Sequence, residues 1–265
     1  MISAQSTLVL LQLILLLCHM LAATVELNAI HYAALLFLPL FVLWKKRTER
    51  TSFTPLYPPT KQKMRAVWPL LPWILLLTVL AAYLSSLVTR AIGIEPSPIA
   101  ETSIPLALLR HALLPAILEE LFFRYLPLLL LGRERPRTLV LTSSLFFALA
   151  HLSLYQLPYA LLAGVLYMAV VLYTESVWVS MLLHFANNAL SVFLMLSGEE
   201  VLLWILLPAI CVPLLVISLY FLIAKRKEYG KMLCDLFARG ERIFLEKSTI
   251  ACSILLFLLT ILSIF

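Results

Sequence analysis

The sequence predicts an all-α fold, a polytopic transmembrane helical bundle of about nine membrane helices. The 265-residue chain is 63% hydrophobic and 13% charged, with a mean hydropathy of +1.01, a composition typical of multi-pass membrane proteins. Apolar runs long enough to cross a bilayer core of about 30 Å recur along the whole chain. These runs lack the residue-by-residue alternation of a membrane β-barrel, so we expect helices.

The predicted helices follow the apolar runs in order. Their bounds are 6–24, 29–44, 67–88, 104–131, 138–152, 157–173, 177–196, 201–224 and 248–265. The first run has small residues at Ala22 and Ala23 that would suit a signal-peptide cleavage site, but it lacks a basic start. This favours a retained first helix. Because no internal repeat is detectable, we expect a single integral membrane domain over 1–265.

Two connecting segments have a distinct composition. The loop 51–60 is rich in proline and is expected to be irregular. In the segment 229–244, apolar residues recur near helical spacing among basic ones, as in an interfacial helix, although a solvated loop fits almost as well. The four cysteines show no C-x-x-C spacing, so neither a disulfide framework nor a thiolate metal site is expected.

The basic residues predict how the bundle sits in the membrane. Of the 20 Lys and Arg, seven lie in 45–66, three in 132–137 and seven in 225–247. With nine helices these three segments fall on one side, which the positive-inside rule makes cytoplasmic. We therefore expect a multi-pass protein of the plasma membrane with a cytoplasmic N-terminus and an external C-terminus. The net charge of +6 is then a signal of topology in the lipid bilayer, and no nucleic-acid partner is expected.

Few polar residues lie inside the predicted spans, and Glu119 and Glu120 are the most unusual. A carboxylate at a helix centre in the bilayer costs roughly 2.5 to 3.5 kcal/mol, so two adjacent ones need a partner, a water-filled cavity or a chemical role. An ion pair between Glu120 and Arg124, four residues apart, would neutralise one of them. It leaves Glu119 unexplained.

Other polar residues in the spans have simpler explanations. We expect Arg110 and His111 to anchor a helix end at the membrane interface. His19 and His31, in apolar surroundings, are expected to be packed histidines. For these four residues the sequence gives no reason to predict a function.

Helix geometry brings a second group of polar residues to one depth. At about 1.5 Å per residue from the cytoplasmic helix ends, Glu119 and His151 lie roughly 18 to 20 Å deep. On the same scale His184 and Asn188 lie roughly 10 to 17 Å deep. Pro115 removes a hydrogen bond from the helix that carries Glu119, and Pro127 frees the carbonyl of Phe123. A kinked helix beside this polar cluster predicts a water-accessible cavity.

This set of residue types suits hydrolysis. A Glu and a His can together position and deprotonate a water molecule for attack on a peptide carbonyl. A second His, with an Asn four residues later on the same helix face, can donate hydrogen bonds to the resulting oxyanion. The set predicted to be catalytic comprises Glu119, His151, His184 and Asn188, with Glu120 and Arg124 acting directly or by orienting the others.

At these residues the chain resembles the CAAX protease and bacteriocin-processing (CPBP) family of intramembrane proteases, which is related to type II CAAX prenyl endopeptidases. The family motifs E-E-x-x-x-R, F-x-x-x-H and H-x-x-x-N correspond to Glu119–Arg124, Phe147–His151 and His184–Asn188. The resemblance covers roughly 104–196, which would be the protease-like core, flanked by helices in 1–100 and 200–265. It implies that Glu119 and His151 activate water, His184 and Asn188 stabilise the oxyanion, and Glu120 and Arg124 order the site.

The predicted function is therefore an intramembrane endopeptidase acting on a membrane-associated protein or peptide substrate. A proton-coupled transporter could also use buried carboxylates and histidines, but the repeats typical of that class are not detectable. A non-catalytic membrane scaffold or immunity-type protein is the other alternative, although all motif residues are present. The sequence does not decide whether the protein binds a cofactor. Glu119, His151 and His184 match a known type of zinc set, while the lack of H-E-x-x-H and the resemblance favour a metal-free glutamate mechanism.

Overall fold

The computed structural model describes residues 3–24, 28–46, 56–94, 103–196, 200–237 and 243–262. All regular structure in these ranges is helical, which confirms the predicted all-α bundle. Four described helical stretches are long and apolar enough to cross a membrane by length and composition. They are Ala4–Ala22, Lys61–Ala91, Leu157–Thr174 and Val177–Leu194.

The helices correspond to all nine predicted apolar runs, with one short additional helix near the C-terminus. They are α1 (Ala4–Thr24), α2 (Asn28–Lys46), α3 (Lys61–Val67), α4 (Leu71–Ala91), α5 (Ile104–Ala107), α6 (Leu114–Glu120), α7 (Leu126–Leu131), α8 (Pro136–Ala150), α9 (Leu157–Thr174), α10 (Val177–Leu196), α11 (Glu200–Ala224), α12 (Arg226–Phe237) and α13 (Lys247–Leu262). The helices α5, α6 and α7 form one interrupted helix over 104–131.

The bounds of two segments differ markedly from the sequence prediction, and the others differ by a few residues at most. Helical structure in the third run starts at Lys61 instead of 67, because Thr60 caps the helix by accepting a hydrogen bond from the Lys63 amide. The segment 229–244 contains a helix, but α12 begins earlier, at Arg226, and ends at Phe237; residues 238–242 lie outside the described ranges. In the proline-rich loop, 56–60 is non-helical as expected, and 51–55 is outside the described ranges.

The helices α8 and α9 pack at close range in the centre of the bundle. Gly164 on α9 faces Ser144 on α8 so closely that a Cβ added at Gly164 would stand 2.9 Å from both the Cα and the Cβ of Ser144. Only a glycine permits this approach, because the obstructing atoms include backbone. The two helices carry Phe147 and Tyr167 into the core, where both side chains are fully buried.

The interrupted helix contains two π turns, Leu108–Leu113 and Leu121–Tyr125, each followed closely by a proline, Pro115 or Pro127. The predicted consequence of Pro127 is observed. Ser143 on α8 donates a hydrogen bond of 2.5 Å to the carbonyl oxygen of Phe123. A side-chain hydroxyl thus replaces the missing backbone donor inside the bundle, as membrane helices require.

At the end of the bundle that carries the basic loops, Glu175 joins three segments. Its carboxylate contacts Lys63 Nζ at 2.5 Å and Arg133 Nη1 at 2.6 Å, and Arg133 also donates to the Leu172 carbonyl. The hydrogen bond from Lys63, reinforced by Arg133, lowers the pKa of the Glu175 carboxyl below its usual value. This ion-paired turn connects the start of α3, the α7–α8 loop and the α9–α10 turn.

A second polar group joins the two ends of the chain. Gln5 on α1 donates to the Phe244 carbonyl at 2.9 Å and accepts from the Glu246 amide at 2.8 Å. Its side-chain oxygen also accepts from the Thr249 hydroxyl at 3.0 Å. Because Gln5 is buried, these bonds satisfy a side chain that would otherwise destabilise the fold. They hold α13 against α1.

Candidate active site

Three helices bring Glu119, His151 and His184 together. The Oε2 atom of Glu119 lies 4.0 Å from Nε2 of His151 and 3.9 Å from Nε2 of His184. Glu119 is on α6, His151 is the C-cap of α8, and His184 is on α10. The convergence that the depth estimate predicts is therefore observed: one carboxylate oxygen faces two imidazole nitrogens.

The ring of His151 is held in one orientation by its own helix. Its Nδ1 lies 2.8 Å from the carbonyl oxygen of Phe147, one turn earlier. Because a carbonyl can only accept, the Nδ1–H of His151 is the donor. In the neutral ring this leaves the lone pair on Nε2, which is the atom that faces Glu119.

The adjacent carboxylate, Glu120, points away from the cavity and orients His184. Its Oε1 lies 3.0 Å from Nδ1 of His184, and its Oε2 lies 3.3 Å from Nε of Arg124. Glu120 and Arg124 are both completely buried. The ion pair expected from their four-residue spacing is thus present, and it extends to the histidine.

Phe147 forms the centre of the aromatic packing around these groups. Its ring makes edge contacts with the rings of His151 and His184, at centroid distances of 5.0 and 5.7 Å. The guanidinium carbon of Arg124 lies 4.3 Å from the same ring centroid. Phe147 therefore contacts both imidazoles and the buried cation with one ring.

Asn188 lines the same cavity as Glu119 and lies at the end of a short chain of polar contacts. The hydrogen of the Thr78 hydroxyl is shared between the Leu75 carbonyl, at 2.9 Å, and Oδ1 of Asn187, at 3.1 Å. The side-chain amide of Asn187 in turn donates to Oδ1 of Asn188 at 3.5 Å. With its oxygen engaged in this way, Asn188 has its NH₂ group available as a donor.

These side chains line a cavity of about 550 Å³, which agrees with the predicted water-accessible space. Its wall includes Phe147, Tyr159, Tyr167 and Ser191, and its rim includes Arg110 and His111. Arg110 and His111, which are expected to anchor a helix end, thus also line the cavity. His19 and His31 are packed against each other as expected, with their ring centroids 5.0 Å apart.

The distances from Glu119 to the two histidines are longer than those between the ligands of one zinc ion. Zinc lies about 2.0 to 2.2 Å from its nitrogen and oxygen ligands, which places tetrahedral ligands roughly 3.4 Å from one another. Glu119 Oε2 is 3.9 and 4.0 Å from the two histidine nitrogens. Among the described residues, no group of three or more His, Cys, Asp or Glu is arranged to hold a metal ion.

The part of the chain that forms the site resembles a known protein family. Residues 101–190, about a third of the sequence, match the family described as type II CAAX prenyl endopeptidase Rce1-like. This segment is similar to the Rce1-like family. The resemblance found in the motifs is thereby confirmed. No curated protein and no solved structure gives a significant match to the chain.

The Rce1-like segment contains every predicted site residue. Because the family is one of membrane proteases, the match supports an enzyme embedded in the membrane that acts on a peptide or protein substrate. Contributors to the site outside the segment include Tyr32 on α2 and Thr78 on α4. A single threonine hydroxyl in an apolar helix commonly bonds to its own backbone, and one tyrosine among apolar residues is not unusual, so neither residue gave a signal in the sequence.

Proposed function

We propose that this chain is an intramembrane endopeptidase that hydrolyses a peptide bond of a membrane-associated protein or peptide. The observation that carries the proposal is that Glu119, which lines a cavity in the helical bundle, has its Oε2 atom 4.0 and 3.9 Å from the Nε2 atoms of His151 and His184. A carboxylate with only 17% of its side chain exposed is costly in a membrane protein unless it has a chemical role.

Glu119 and His151 activate the attacking water in this proposal. Their facing atoms are 4.0 Å apart, a separation that one water molecule can bridge with two hydrogen bonds of about 2.8 Å. The water oxygen attacks the carbonyl carbon as its proton passes to Glu119. Glu119 then delivers that proton to the leaving amine as the carbon–nitrogen bond breaks.

His184 and Asn188 stabilise the oxyanion that forms on the attacked carbonyl. The Nδ1–H group of His184 donates to Glu120. Nε2 can therefore donate to the oxyanion only when the ring carries a second proton. The positive charge of that ring lies beside the carboxylates of Glu119 and Glu120. The NH₂ group of Asn188 supplies a second donor on the same helix face. Losing one such donor typically costs about 10²- to 10³-fold in kcat.

Glu120 and Arg124 act as positioning residues. They are completely buried, so they contact no substrate, and their connection to the reaction runs through Nδ1 of His184. Breaking a buried ion pair leaves an uncompensated charge, which typically costs about 3 to 5 kcal/mol. Substitutions at either residue should therefore reduce the amount of folded protein as well as the activity.

The proposal is tested by comparing the N- and C-termini of membrane proteins in cells that carry the wild-type chain or its Glu119→Gln variant. New termini that depend on the wild-type carboxylate identify cleaved substrates. Glu228→Gln is the matched control, because Glu228 is an exposed carboxylate that pairs with Lys225 near the start of α12. The proposal fails if the set of termini is the same with wild type and Glu119→Gln while both proteins accumulate equally.

A further inference from the structure

A second pocket, separate from the cavity that Glu119 lines, lies at the end of the bundle that carries the basic loops. It has a volume of about 210 Å³, and its lining includes Gln5, Leu130, Leu131, Arg135, Phe244 and Glu246. We call it the Arg135 pocket. These residues come from the start of α1, the end of α7, the α7–α8 loop and the segment before α13. None of them also lines the cavity at Glu119.

The Arg135 pocket lies at the level of the lipid head groups. The helix α7 ends at Leu131, α8 begins at Pro136 and α13 begins at Lys247. A membrane helix ends where the hydrocarbon core meets the head-group layer, so a pocket among these helix ends faces that layer. Arg135 is exposed, so the pocket opens to the surface of the bundle. Basic pockets between membrane helices are known to bind lipid head groups at this level.

Two opposite charges line the Arg135 pocket without pairing with each other. No described residue makes an ion pair with Arg135 or with Glu246, so their charged groups lie beyond ion-pair distance. Oε2 of Glu246 instead accepts hydrogen bonds from the hydroxyls of Ser3 and Ser6, at 2.5 and 3.1 Å. Both hydroxyls are neutral, so they position the carboxylate but do not compensate its charge. A ligand that carries both signs of charge would satisfy the two groups together.

We propose that the Arg135 pocket binds a phospholipid whose head group carries both a phosphate and a primary ammonium group, as in phosphatidylethanolamine. The phosphate accepts hydrogen bonds from the guanidinium of Arg135, which is suited to phosphate by its planar set of N–H donors. The ammonium group, with three donors, binds the carboxylate of Glu246. The apolar side chains of Leu130, Leu131 and Phe244 contact the glycerol backbone and the first part of the acyl chains. This inference does not depend on the proposed peptidase function.

The pair of charges selects this class of lipid over others. Phosphatidylglycerol has the phosphate but no cation, so its binding would bring a second negative charge towards the carboxylate of Glu246. Phosphatidylcholine has a quaternary ammonium group without an N–H, so it cannot donate a hydrogen bond to that carboxylate. A pocket of about 210 Å³ is smaller than the usual site for a drug-sized molecule. This size suits a head group whose acyl chains remain in the bilayer.

Native mass spectrometry tests the proposal on full-length protein that is purified in detergent and depleted of lipid. The probes are the dihexanoyl forms of phosphatidylethanolamine, phosphatidylcholine and phosphatidylglycerol, together with glycerophosphoethanolamine, the head group without acyl chains. We expect phosphatidylethanolamine to bind roughly tenfold more tightly than each of the other three, the scale of one charge-assisted hydrogen bond. It should also give the largest rise in unfolding temperature, because a ligand of the folded state stabilises that state.

Two variants separate the contributions of the charges. Arg135→Gln should weaken the binding of all three phospholipids about tenfold, since each has a phosphate. Glu246→Gln should abolish the preference for phosphatidylethanolamine over phosphatidylcholine and leave the affinity for phosphatidylcholine unchanged. The new side chain can still accept from Ser3 and Ser6 through its carbonyl oxygen. Arg65→Gln is the matched control, because Arg65 is also an exposed arginine but lines neither pocket.

Three results would overturn the proposal: equal affinity of the wild-type protein for the three phospholipids, unchanged affinities in Arg135→Gln, or a preference for phosphatidylethanolamine that persists in Glu246→Gln. Binding of glycerophosphoethanolamine as tightly as the lipid would show that the pocket takes a free solute, which contradicts the assignment of a lipid. The comparison of lipids in the wild-type protein needs no variant, so it decides the question even if a variant fails to fold. None of these measurements uses cleavage, so the lipid site and the peptidase function can fail independently.

Discussion

The two adjacent glutamates have different roles because neighbouring side chains on a helix point about 100° apart. Glu119 faces the cavity and the Nε2 atoms of two histidines. Glu120 faces the protein interior, where it contacts Arg124 and Nδ1 of His184. His184 therefore lies between the two carboxylates and connects the buried ion pair to the cavity.

If Glu119 and His151 act on the same water molecule, their substitutions should not be additive. We expect Glu119→Gln and His151→Ala each to lower kcat by at least about 100-fold, the usual scale of general acid–base catalysis. The double variant should be hardly slower than either single one. The measurement is the rate of peptide cleavage per folded molecule. Effects that multiply would show that the two residues act independently.

Thr78 is expected to act through the two asparagines. Thr78→Val removes the hydroxyl that engages Asn187 but keeps the shape of the side chain, so the amide of Asn188 loses its fixed orientation. We expect kcat to fall about five- to tenfold with little change in KM, and Thr78→Ser to restore it, because an oxyanion donor acts mainly in the transition state. An unchanged kcat per folded molecule in Thr78→Val would contradict this role.

At the scale of the helices, prolines and small residues determine the shape of the site. The sequence predicted the run that carries Glu119 to be kinked at Pro115 and Pro127, and the structure has a π turn before each proline. What could not be predicted is the change in winding. Counting along a regular helix puts Arg110 and Glu119 on opposite faces, and only the described backbone shows that both line one cavity.

A Gly164→Ala substitution, which adds one methyl group, tests whether stability depends on the close contact of α8 and α9. Gly164→Ala places a Cβ 2.9 Å from the backbone of Ser144, so the two helices must separate. Overpacking of this kind typically costs about 1 to 3 kcal/mol. We expect a lower unfolding temperature for the purified protein and a displaced His151.

Gly230→Ala is the matched control, since a Cβ at Gly230 on α12 would meet nothing within 4 Å. Thermal unfolding in the same detergent compares the two variants. Equal stability of Gly164→Ala and wild type would show that the helices do not depend on this contact.

At the scale of the whole molecule, the sequence predicted the order and extent of the helices well, because long apolar runs allow few other structures in a bilayer. It also predicted which motif residues meet. The contributions of Tyr32 and Thr78 could not be predicted, since they depend on how α2 and α4 pack against the Rce1-like segment. Local patterns carry no information about such contacts.

The distribution of charge predicts the orientation of the bundle. The ion-paired turn at Glu175 includes Lys63 and Arg133 from two of the basic segments, which places these segments at the same end. A reporter fused at Pro58 should therefore read cytoplasmic, and one fused after Phe265 should read external. The same side for both reporters would mean that the number of membrane crossings is even.

The most direct test of the central claim is a cleavage assay with purified protein in liposomes, using a substrate identified from the comparison of termini. Wild type should cut one peptide bond, and Glu119→Gln should cut it at least about 100-fold more slowly while Glu228→Gln retains the wild-type rate. Both variants should unfold at the wild-type temperature. Near-wild-type cleavage by Glu119→Gln would contradict the assignment of this carboxylate as the group that activates water.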